Sequence, residues 1–314
     1  MKRTLFYAAL LVALLGAIAL ISARAQAQEA VAVITEIKLN RGDVQIRLPG
    51  KKGWEKPTLL QSLYAGTQIQ ASADATAVVL FMEGTRTVTV DEKNSPFEVK
   101  PADAKAGQAS GWEVVRFLLG KKRPASYVPV AGRGGKQPPV LVSPRNTKLI
   151  TDLPMLQWMG MERQPGTVRV YGPDGQVWAA KNISLTQIKY PSSAPRLKPG
   201  VEYAWTIEKK GFPVEKARFK ILAPEGGKAV QEKLVSLQNA SSVPKTTLAI
   251  LKAGLLVSHE LYHEAREALV EAMNGDPDEP TLHFLLGEIY EKTGLKNLAF
   301  EEYSESEFLL KKRQ

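Results

Sequence analysis

Cysteine is absent from the 314-residue chain, which excludes disulfide bonds, thiolate metal sites and cysteine nucleophiles. Histidine is scarce as well, since the sequence holds only three, His259, His263 and His283, all near the C-terminal end. Any imidazole chemistry must therefore come from that stretch. Because a chain without cysteine needs no oxidative folding, this composition suits an exported bacterial protein.

Long apolar runs are also rare, and only Leu5–Ile21 approaches the length of a membrane span. Its 17 residues fall short of the ~20 that cross a bilayer comfortably. A cationic start, Met1–Arg3, precedes the run, and small residues at alternate positions follow it, which is the order of a secretory signal peptide. We therefore predict a signal peptide over 1–27, cleaved after Ala25 or Ala27, and export to the periplasm or cell envelope of a bacterium. An uncleaved N-terminal anchor is the alternative, and it also predicts export.

The net charge of +10 is unevenly distributed along the chain. Residues 26–245 hold 32 lysines and arginines against 19 acidic residues, whereas residues 246–314 hold 7 against 13. A basic body with an acidic C-terminal part predicts two surfaces with different partners. Nucleic-acid binding is disfavoured despite the basic body, because the predicted signal peptide exports the chain.

Short segments with alternating polarity dominate residues 31–120 and predict β-strands. Apolar and polar residues alternate along Val44–Leu48 and Thr85–Val90, while Ala77–Phe81 is apolar throughout. Glycine, proline and aspartate separate these segments, which indicates an antiparallel sandwich or a small barrel. The partly helical spacing of Trp112–Leu119 predicts a short helix that docks on the sheet.

The order of landmarks within residues 38–92 resembles the FecR-type periplasmic domain. The matching segments are Gly42-Asp43-Val44, Trp54–Pro57, Leu63–Thr67, Val78–Phe81, Glu83-Gly84-Thr85 and Val88–Val90. This resemblance implies a FecR-like β-domain and an exported location. Regulators of that family carry a cytoplasmic segment and a membrane helix before the domain, where this sequence has only the predicted signal peptide. A signalling sensor is therefore kept as an alternative function, and Trp54 and Tyr64 are expected to pack in the domain core.

Glycine and cationic residues dominate 121–137 and predict a flexible basic linker. Its cations form a candidate surface for an anionic wall polymer or membrane lipid. They are Lys121, Lys122, Arg123, Arg133 and Lys136. A solvated linker without a partner is the alternative.

Further short strand candidates, separated by hairpin-type turns, continue through residues 138–222. The segments Pro154–Trp158 and Leu197–Trp205 resemble segments of the immunoglobulin-like or fibronectin-like spacer domains of bacterial envelope proteins. The resemblance implies an Ig-like β-sandwich whose tryptophan and tyrosine side chains fill the core. Because such sandwiches serve many roles, it implies no particular function.

Helix-forming residues dominate the rest of the chain, with a connecting helix expected over 228–245. Similar residues then recur 34 positions apart over 246–314, in the pairs Ala253/Gly287, Leu256/Tyr290, Ala265/Ala299 and Leu269/Tyr303. This period resembles tetratricopeptide (TPR) repeats, which implies two all-α helical hairpins. Since solenoids usually need about three repeats, we expect this pair to lean on other parts of the chain.

The pentapeptide His259–His263 has the H-E-x-x-H spacing of zinc proteases. Zinc binding at that spacing requires both histidines on one continuous helix. The repeat register instead places the pentapeptide at the turn between two helices, because Gly294 occupies the position equivalent to Glu260. We therefore predict surface histidines there, with no metal site and no catalytic residues. A zinc protease is the alternative, and it predicts stoichiometric zinc that disappears in His259→Ala.

No nucleophile–base pair, carboxylate dyad or cofactor loop stands out in the sequence, which predicts a non-enzymatic protein without a cofactor. The expected architecture is mainly β in the N-terminal two-thirds and all-α thereafter. We expect an exported scaffold or adaptor that binds an envelope protein or peptide through its repeats, with Lys252, His283 and Glu291 as partner-binding residues. A glycan- or peptidoglycan-binding envelope module is a further alternative.

Overall fold

The computed structural model describes residues 29–82, 86–101, 118, 138–161, 165–240 and 242–312. The predicted signal peptide over 1–27 and the basic linker over 121–137 lie outside these residues. The same holds for the five cations predicted to form an anionic-polymer surface, Lys121, Lys122, Arg123, Arg133 and Lys136. Of the predicted helix Trp112–Leu119, only Leu118 is described, and it is helical and fully buried.

Seven short strands build the N-terminal module. They are β1 (Ala30–Lys38), β2 (Val44–Arg47), β3 (Ser62–Tyr64), β4 (Gln68–Ala71), β5 (Thr76–Phe81), β6 (Thr87–Val90) and β7 (Phe97–Glu98). They form two sheets, ordered β3-β1-β5-β6 and β2-β4-β7. Alternate apolar side chains of both sheets, among them Ile34, Ile46 and Ile69, meet in one shared core, as the period-two pattern requires.

Two aromatic residues of this module depart from the expectation. Trp54 and Tyr64 are only partly buried and lie outside the shared core. The guanidinium carbon of Arg47 lies 4.8 Å from the centre of the Trp54 ring, a cation–π contact at the surface. The prediction of core packing is therefore wrong for both residues.

Eight further strands build the second module. They are β8 (Val140–Ser143), β9 (Thr147–Leu149), β10 (Met155–Met159), β11 (Gly166–Gly172), β12 (Gly175–Ile183), β13 (Gln187–Lys189), β14 (Glu202–Glu208) and β15 (Ala217–Ile221). They form a three-stranded sheet, β13-β10-β8, and a five-stranded sheet, β12-β11-β14-β15-β9. The core between the sheets includes Trp158, Trp205 and Tyr190, all buried. The expectation that tryptophan and tyrosine fill this core is confirmed.

In the part of the chain described after Ile221, five helices follow the strands. They are α1 (Pro224–Gln238), α2 (Lys245–Ser258), α3 (Tyr262–Gly275), α4 (Pro280–Thr293) and α5 (Lys296–Lys312). The helix predicted over 228–245 lies instead at Pro224–Gln238, with proline at a position that suits a helix start, and Lys245 already belongs to α2. The coarse prediction of a β-rich N-terminal two-thirds followed by helices is confirmed. Within the described residues, no helix has both the length and the apolar composition that a bilayer span needs.

The helices share one core with both β modules. Side chains on α2 and α4 form a single buried cluster with Val33 and Leu80 of the first module, Val142 of the second, and Leu118. Val31–Gln314 accordingly forms one compact unit. The helices therefore lean on the strands, as expected for a short helical array.

Candidate functional site

The H-E-x-x-H pentapeptide lies at a break between two helices. Helix α2 ends at Ser258 and α3 begins at Tyr262. Between them Glu260 has a φ of 61°, a left-handed conformation that interrupts a helix. The two histidines therefore do not share one continuous helix, and the predicted turn is confirmed. No group of three or more histidine, aspartate or glutamate side chains suited to a metal ion occurs in the described part of the chain.

This turn attaches the helices to the second β module. The carbonyl oxygen of Glu260 accepts a hydrogen bond from the amide of Lys148 at 2.9 Å. Its carboxylate also pairs with the Lys148 ammonium at 2.8 Å. β9 is an edge strand, and the outer backbone groups of such a strand lack a neighbouring strand. The Glu260 carbonyl therefore bonds to a β9 amide that would otherwise lack a partner.

His263 is part of the same attachment. Its side chain is buried, and Nδ1 lies 2.7 Å from the hydroxyl oxygen of Ser143 on β8. Burial, helped by the nearby Arg266 cation, lowers the pKa of His263 to about 4, because a charged imidazole would lose its hydration there. The prediction of a surface histidine is wrong at this position, since the first turn of α3 packs against β8.

Glu264 is the most unusual ionisable group of this region. Its Oε1 accepts a hydrogen bond from the amide of Ile150 at 2.8 Å. Its Oε2 is buried and has no hydrogen-bond partner among the described residues. Burial raises the pKa of Glu264 to about 7, although the Ile150 hydrogen bond opposes the shift.

A long open furrow runs along α2 between α1 and α3, with Glu264 near one end. It consists of two clefts, of about 440 Å³ and 700 Å³, which share Lys252, Ala268 and Glu271. We call this the α2 furrow. Its floor and walls are Leu248, Ala249, Lys252 and Leu256 of α2, Gln231, Leu234 and Gln238 of α1, and Glu264, Glu267, Ala268, Glu271 and Ala272 of α3. Ile150 and Thr151 lie at one end, and Glu36 and Lys38 lie at the other.

Charged groups line both halves of the α2 furrow. The half near Ile150 holds Glu264, Glu267, Glu271 and Lys252. Glu267 pairs with the Arg266 guanidinium at 2.5 Å, and burial raises the pKa of Glu264 to about 7. Three acidic and three basic side chains line the half near β1, where Lys38 pairs with Asp276 at 3.0 Å. Neither half therefore carries a large excess of one charge.

The three predicted partner-binding residues do not line one surface. Lys252 lies in the middle of the α2 furrow, whereas His283 and Glu291 do not line it. His283 is buried between α4 and α5, with Nδ1 2.7 Å from Glu302 and Nε2 2.9 Å from the carbonyl oxygen of Pro277. Burial lowers its pKa, but these two hydrogen bonds together with the negative charges of Glu302 and Glu305 outweigh that effect and leave the pKa raised. Glu291 is exposed and accepts a hydrogen bond from the Tyr303 hydroxyl at 3.0 Å.

Sequence reasoning missed the acidic wall of the furrow. Glu264, Glu267 and Glu271 recur at the three- and four-residue spacing that places side chains on one face of a helix. That spacing is legible in the sequence. What local patterns do not reveal is that α1 and α2 leave this face uncovered.

A third cleft, of about 530 Å³, lies where the sheet of β10 and β13 meets the helices. Its lining is rich in planar polar groups, including Gln157, Gln187 and Arg266. The Arg266 guanidinium donates to the side-chain oxygen of Gln157 at 2.8 Å and to the hydroxyl of Tyr290 at 3.2 Å. This network holds the cleft walls in place and leaves further donors and acceptors at its surface.

Comparison with known proteins identifies no family: no family model matches the sequence, and no curated protein matches it.

Proposed function

We propose that this protein is an exported, non-enzymatic scaffold or adaptor of the bacterial cell envelope, which binds a protein or peptide through its helices. In this proposal the first module is FecR-like, the second is Ig-like, and residues 246–314 are two TPR hairpins. The helix starts support the repeat, because Tyr262 and Lys296 open the second helix of each hairpin one repeat length apart. Gly287 supports it too, since a Cβ there would lie only 2.7 Å from the Tyr303 ring.

The observation that carries the proposal is the division of α2 into two faces. One face, including Thr247 and Ile250, is buried toward the β modules. The other forms the floor of the α2 furrow, which is open to solvent and large enough for several side chains. The β modules thus support the helices from one side and leave a binding surface on the other.

The buried ionisable groups next to the furrow also fit an attachment role. His263 contacts Ser143 and Glu264 accepts from Ile150, so both reach into the second β module. Such contacts fix the position of α3 relative to the strands. These contacts give the burial of His263 and Glu264 a structural explanation, so neither residue needs a catalytic role.

Glycan or peptidoglycan binding is the second candidate function, and the cleft between the second β module and the helices favours it. Planar amide, guanidinium and carboxylate groups such as Gln157, Gln187 and Glu301 suit the hydroxyl and amide groups of a saccharide. A signalling sensor is the third candidate. It predicts a retained N-terminal segment, which the intact mass of the exported protein would reveal.

The deciding experiment compares partners of the exported full-length protein in two assays. In the first, the protein is crosslinked in the envelope and the bound proteins are identified. In the second, it is sedimented with purified peptidoglycan sacculi. The adaptor proposal expects a stoichiometric protein partner and no sedimentation, and sedimentation without a protein partner would overturn it in favour of glycan binding.

A further inference from the structure

We propose that a basic hairpin of the first β module docks the protein on an anionic phospholipid surface. The hairpin comprises residues 46–56, at the end of β2 and in the segment that leads to β3, and we call it the basic hairpin. Its lysine side chains face the phosphate groups of the lipids, so the contact is electrostatic and reversible. Because the basic hairpin belongs to the first β module, membrane docking goes beyond the adaptor proposal, which concerns the helices.

The basic hairpin carries an excess of positive charge. It holds four basic side chains, Arg47, Lys51, Lys52 and Lys56, against a single acidic one, Glu55. The three lysines and Glu55 are exposed. A net charge of +3 within one hairpin favours a partner of negative charge.

No ion pair neutralises the three lysines within the described part of the chain. Elsewhere in the same module a cation does have a carboxylate partner, since Arg41 pairs with Asp74 at 3.1 Å. Lys51, Lys52 and Lys56 have no such partner among the described residues. Their charges are therefore available to an external anion.

Two contacts hold the strands of the basic hairpin together. Ile46 and Glu55 exchange two backbone hydrogen bonds of 2.8 Å each. On the neighbouring cross-strand pair, the Arg47 guanidinium lies over the Trp54 ring, a cation–π contact. Because Arg47 is occupied in this way, we expect the lysines to make the membrane contact, and the fixed hairpin presents them without a further loss of backbone freedom.

The tip of the basic hairpin projects from the module. It contains Gly50, Lys51, Lys52 and Gly53, and the Lys51 amide donates to the Leu48 carbonyl oxygen at 3.0 Å. A Cβ at either glycine would meet nothing within 4 Å, so open space surrounds the tip. A projecting tip fits a broad charged surface such as a bilayer, whereas a linear polyanion such as a nucleic-acid strand is bound along a groove. The shape therefore favours a membrane over an anionic polymer.

Single cysteines report the contact, because the chain contains none of its own. Gly53→Cys places an environment-sensitive dye at the tip, and Gly275→Cys places it on α3, where a Cβ also meets nothing within 4 Å. The labelled exported protein is mixed with vesicles of phosphatidylcholine alone or with vesicles that also contain phosphatidylglycerol, an anionic lipid. We expect a blue shift and brighter emission only for the dye at position 53 and only with the anionic vesicles.

Two triple variants, each with three charges removed, identify the lysines. The hairpin variant carries Lys51→Gln, Lys52→Gln and Lys56→Gln. The control variant carries Lys181→Gln, Lys189→Gln and Lys220→Gln, at exposed positions of the second β module. The predicted basic linker is unchanged in both variants, so its own contribution cancels.

Binding to the anionic vesicles is measured by sedimentation. It should fall at least about tenfold in the hairpin variant, since each lysine near such a surface contributes about fivefold. It should fall less than about twofold in the control variant, and a variant with arginine in place of the three hairpin lysines should bind as the wild type does. Thermal unfolding of every variant checks that it is folded.

Equal losses of vesicle binding in the hairpin and control variants would overturn the proposal, as would an unchanged emission of the dye at position 53. Soluble polyphosphate tests the polymer directly. A response at position 53 to polyphosphate that equals or exceeds the response to the vesicles would assign the basic hairpin to an anionic polymer and overturn membrane docking. The adaptor proposal fails separately, because capture of a protein partner does not require the hairpin lysines.

Discussion

The carboxylate of Glu36 accepts a hydrogen bond from the backbone amide of Thr247 at 2.8 Å, across 211 positions of sequence. It also accepts one from the Thr247 hydroxyl. Thr247 belongs to the first turn of α2, which has no side-chain cap of its own. A strand residue therefore satisfies a helix N-terminus from another module, and its negative charge also suits the positive end of the helix dipole.

Replacing Glu36 should destabilise the whole molecule. In Glu36→Ala the buried amide of Thr247 loses its acceptor and the Thr247 hydroxyl keeps only its contact with Thr35, so the free energy of unfolding should fall by roughly 1–3 kcal/mol. Urea unfolding measures the change. Glu98→Ala, at an exposed position of the same module, is the control and should stay within about 0.5 kcal/mol of the wild type. Equal losses in the two variants would show that Glu36 does not cap α2.

The stability of the protein should respond to pH through Glu264. Its pKa is about 7 in the folded chain against 4.5 in the unfolded chain, so the folded state favours the protonated form. Its contribution to stability is fully present below pH 4.5 and is lost as the pH rises through 7. Glu264→Gln carries no such charge, and its stability relative to the wild type should therefore rise by on the order of 3 kcal/mol between pH 4.5 and 8. Chemical unfolding at both pH values measures this difference, and a constant difference would contradict the assignment.

His263 should produce the opposite dependence. Its pKa is about 4 in the folded chain against 6.5 in the unfolded chain, so the folded state favours the neutral form. Its contribution is present above pH 6.5 and is lost as the pH falls toward 4. In the wild type the two groups oppose each other between pH 4.5 and 6.5. Glu264→Gln should therefore uncover a rise in stability across that interval, which His263→Gln in the same background should abolish.

Gly287 and Gly275 form a matched pair for testing helix packing. A Cβ at Gly287 would lie 2.7 Å from Cε1 of Tyr303 and 3.2 Å from the carbonyl oxygen of Ala299, whereas a Cβ at Gly275 meets nothing within 4 Å. Gly287→Ala should lower the free energy of unfolding by about 1–3 kcal/mol through overpacking. Gly275→Ala should leave it unchanged or raise it by at most about 1 kcal/mol. Thermal unfolding of the two variants under identical conditions decides the comparison.

Removing α2 to α5 should not yield a soluble remainder. A chain that ends at Pro244 keeps α1 but would expose Val33, Leu80 and Val142, which pack in one cluster with side chains of α2 and α4. We expect such a chain to aggregate or to bind a hydrophobic dye, because large exposed apolar patches promote association. Size-exclusion chromatography with dye fluorescence measures this. A monomeric truncated chain without dye binding would show that the modules are independent.

Local sequence patterns were sufficient for part of this structure. The period-two segments became strands, and Gly294 indicated a turn at Glu260 because equivalent positions of a repeat fold alike. The strands depend on neighbours a few residues apart, and the turn was found from a repeat of 34 residues that is visible in the sequence. By contrast, the contact of Glu36 with Thr247 and the burial of His263 against Ser143 join distant segments. No local pattern encodes such contacts, because they arise only when three modules pack together.

The candidate site was likewise predicted only in part from the sequence. Lys252 was predicted from the sequence to bind a partner, and it does line the α2 furrow. The surface that it was expected to share with His283 and Glu291 does not exist. His283 was predicted to bind a partner because it is polar. Its two ring nitrogens instead contact Glu302 and the carbonyl oxygen of Pro277 within the fold. A polar residue on an amphipathic helix gives the same sequence pattern whether its hydrogen-bond partner belongs to another protein or to the next helix.

The double attachment of the helices has a mechanical consequence. Glu36 holds the start of α2, and Lys148 holds the turn that follows its end. Because α2 is attached at both ends to different sheets, it cannot rotate about one end as a helix attached at a single end can. A force applied to α2 would therefore be transmitted to β1 and β9, without bending at a hinge.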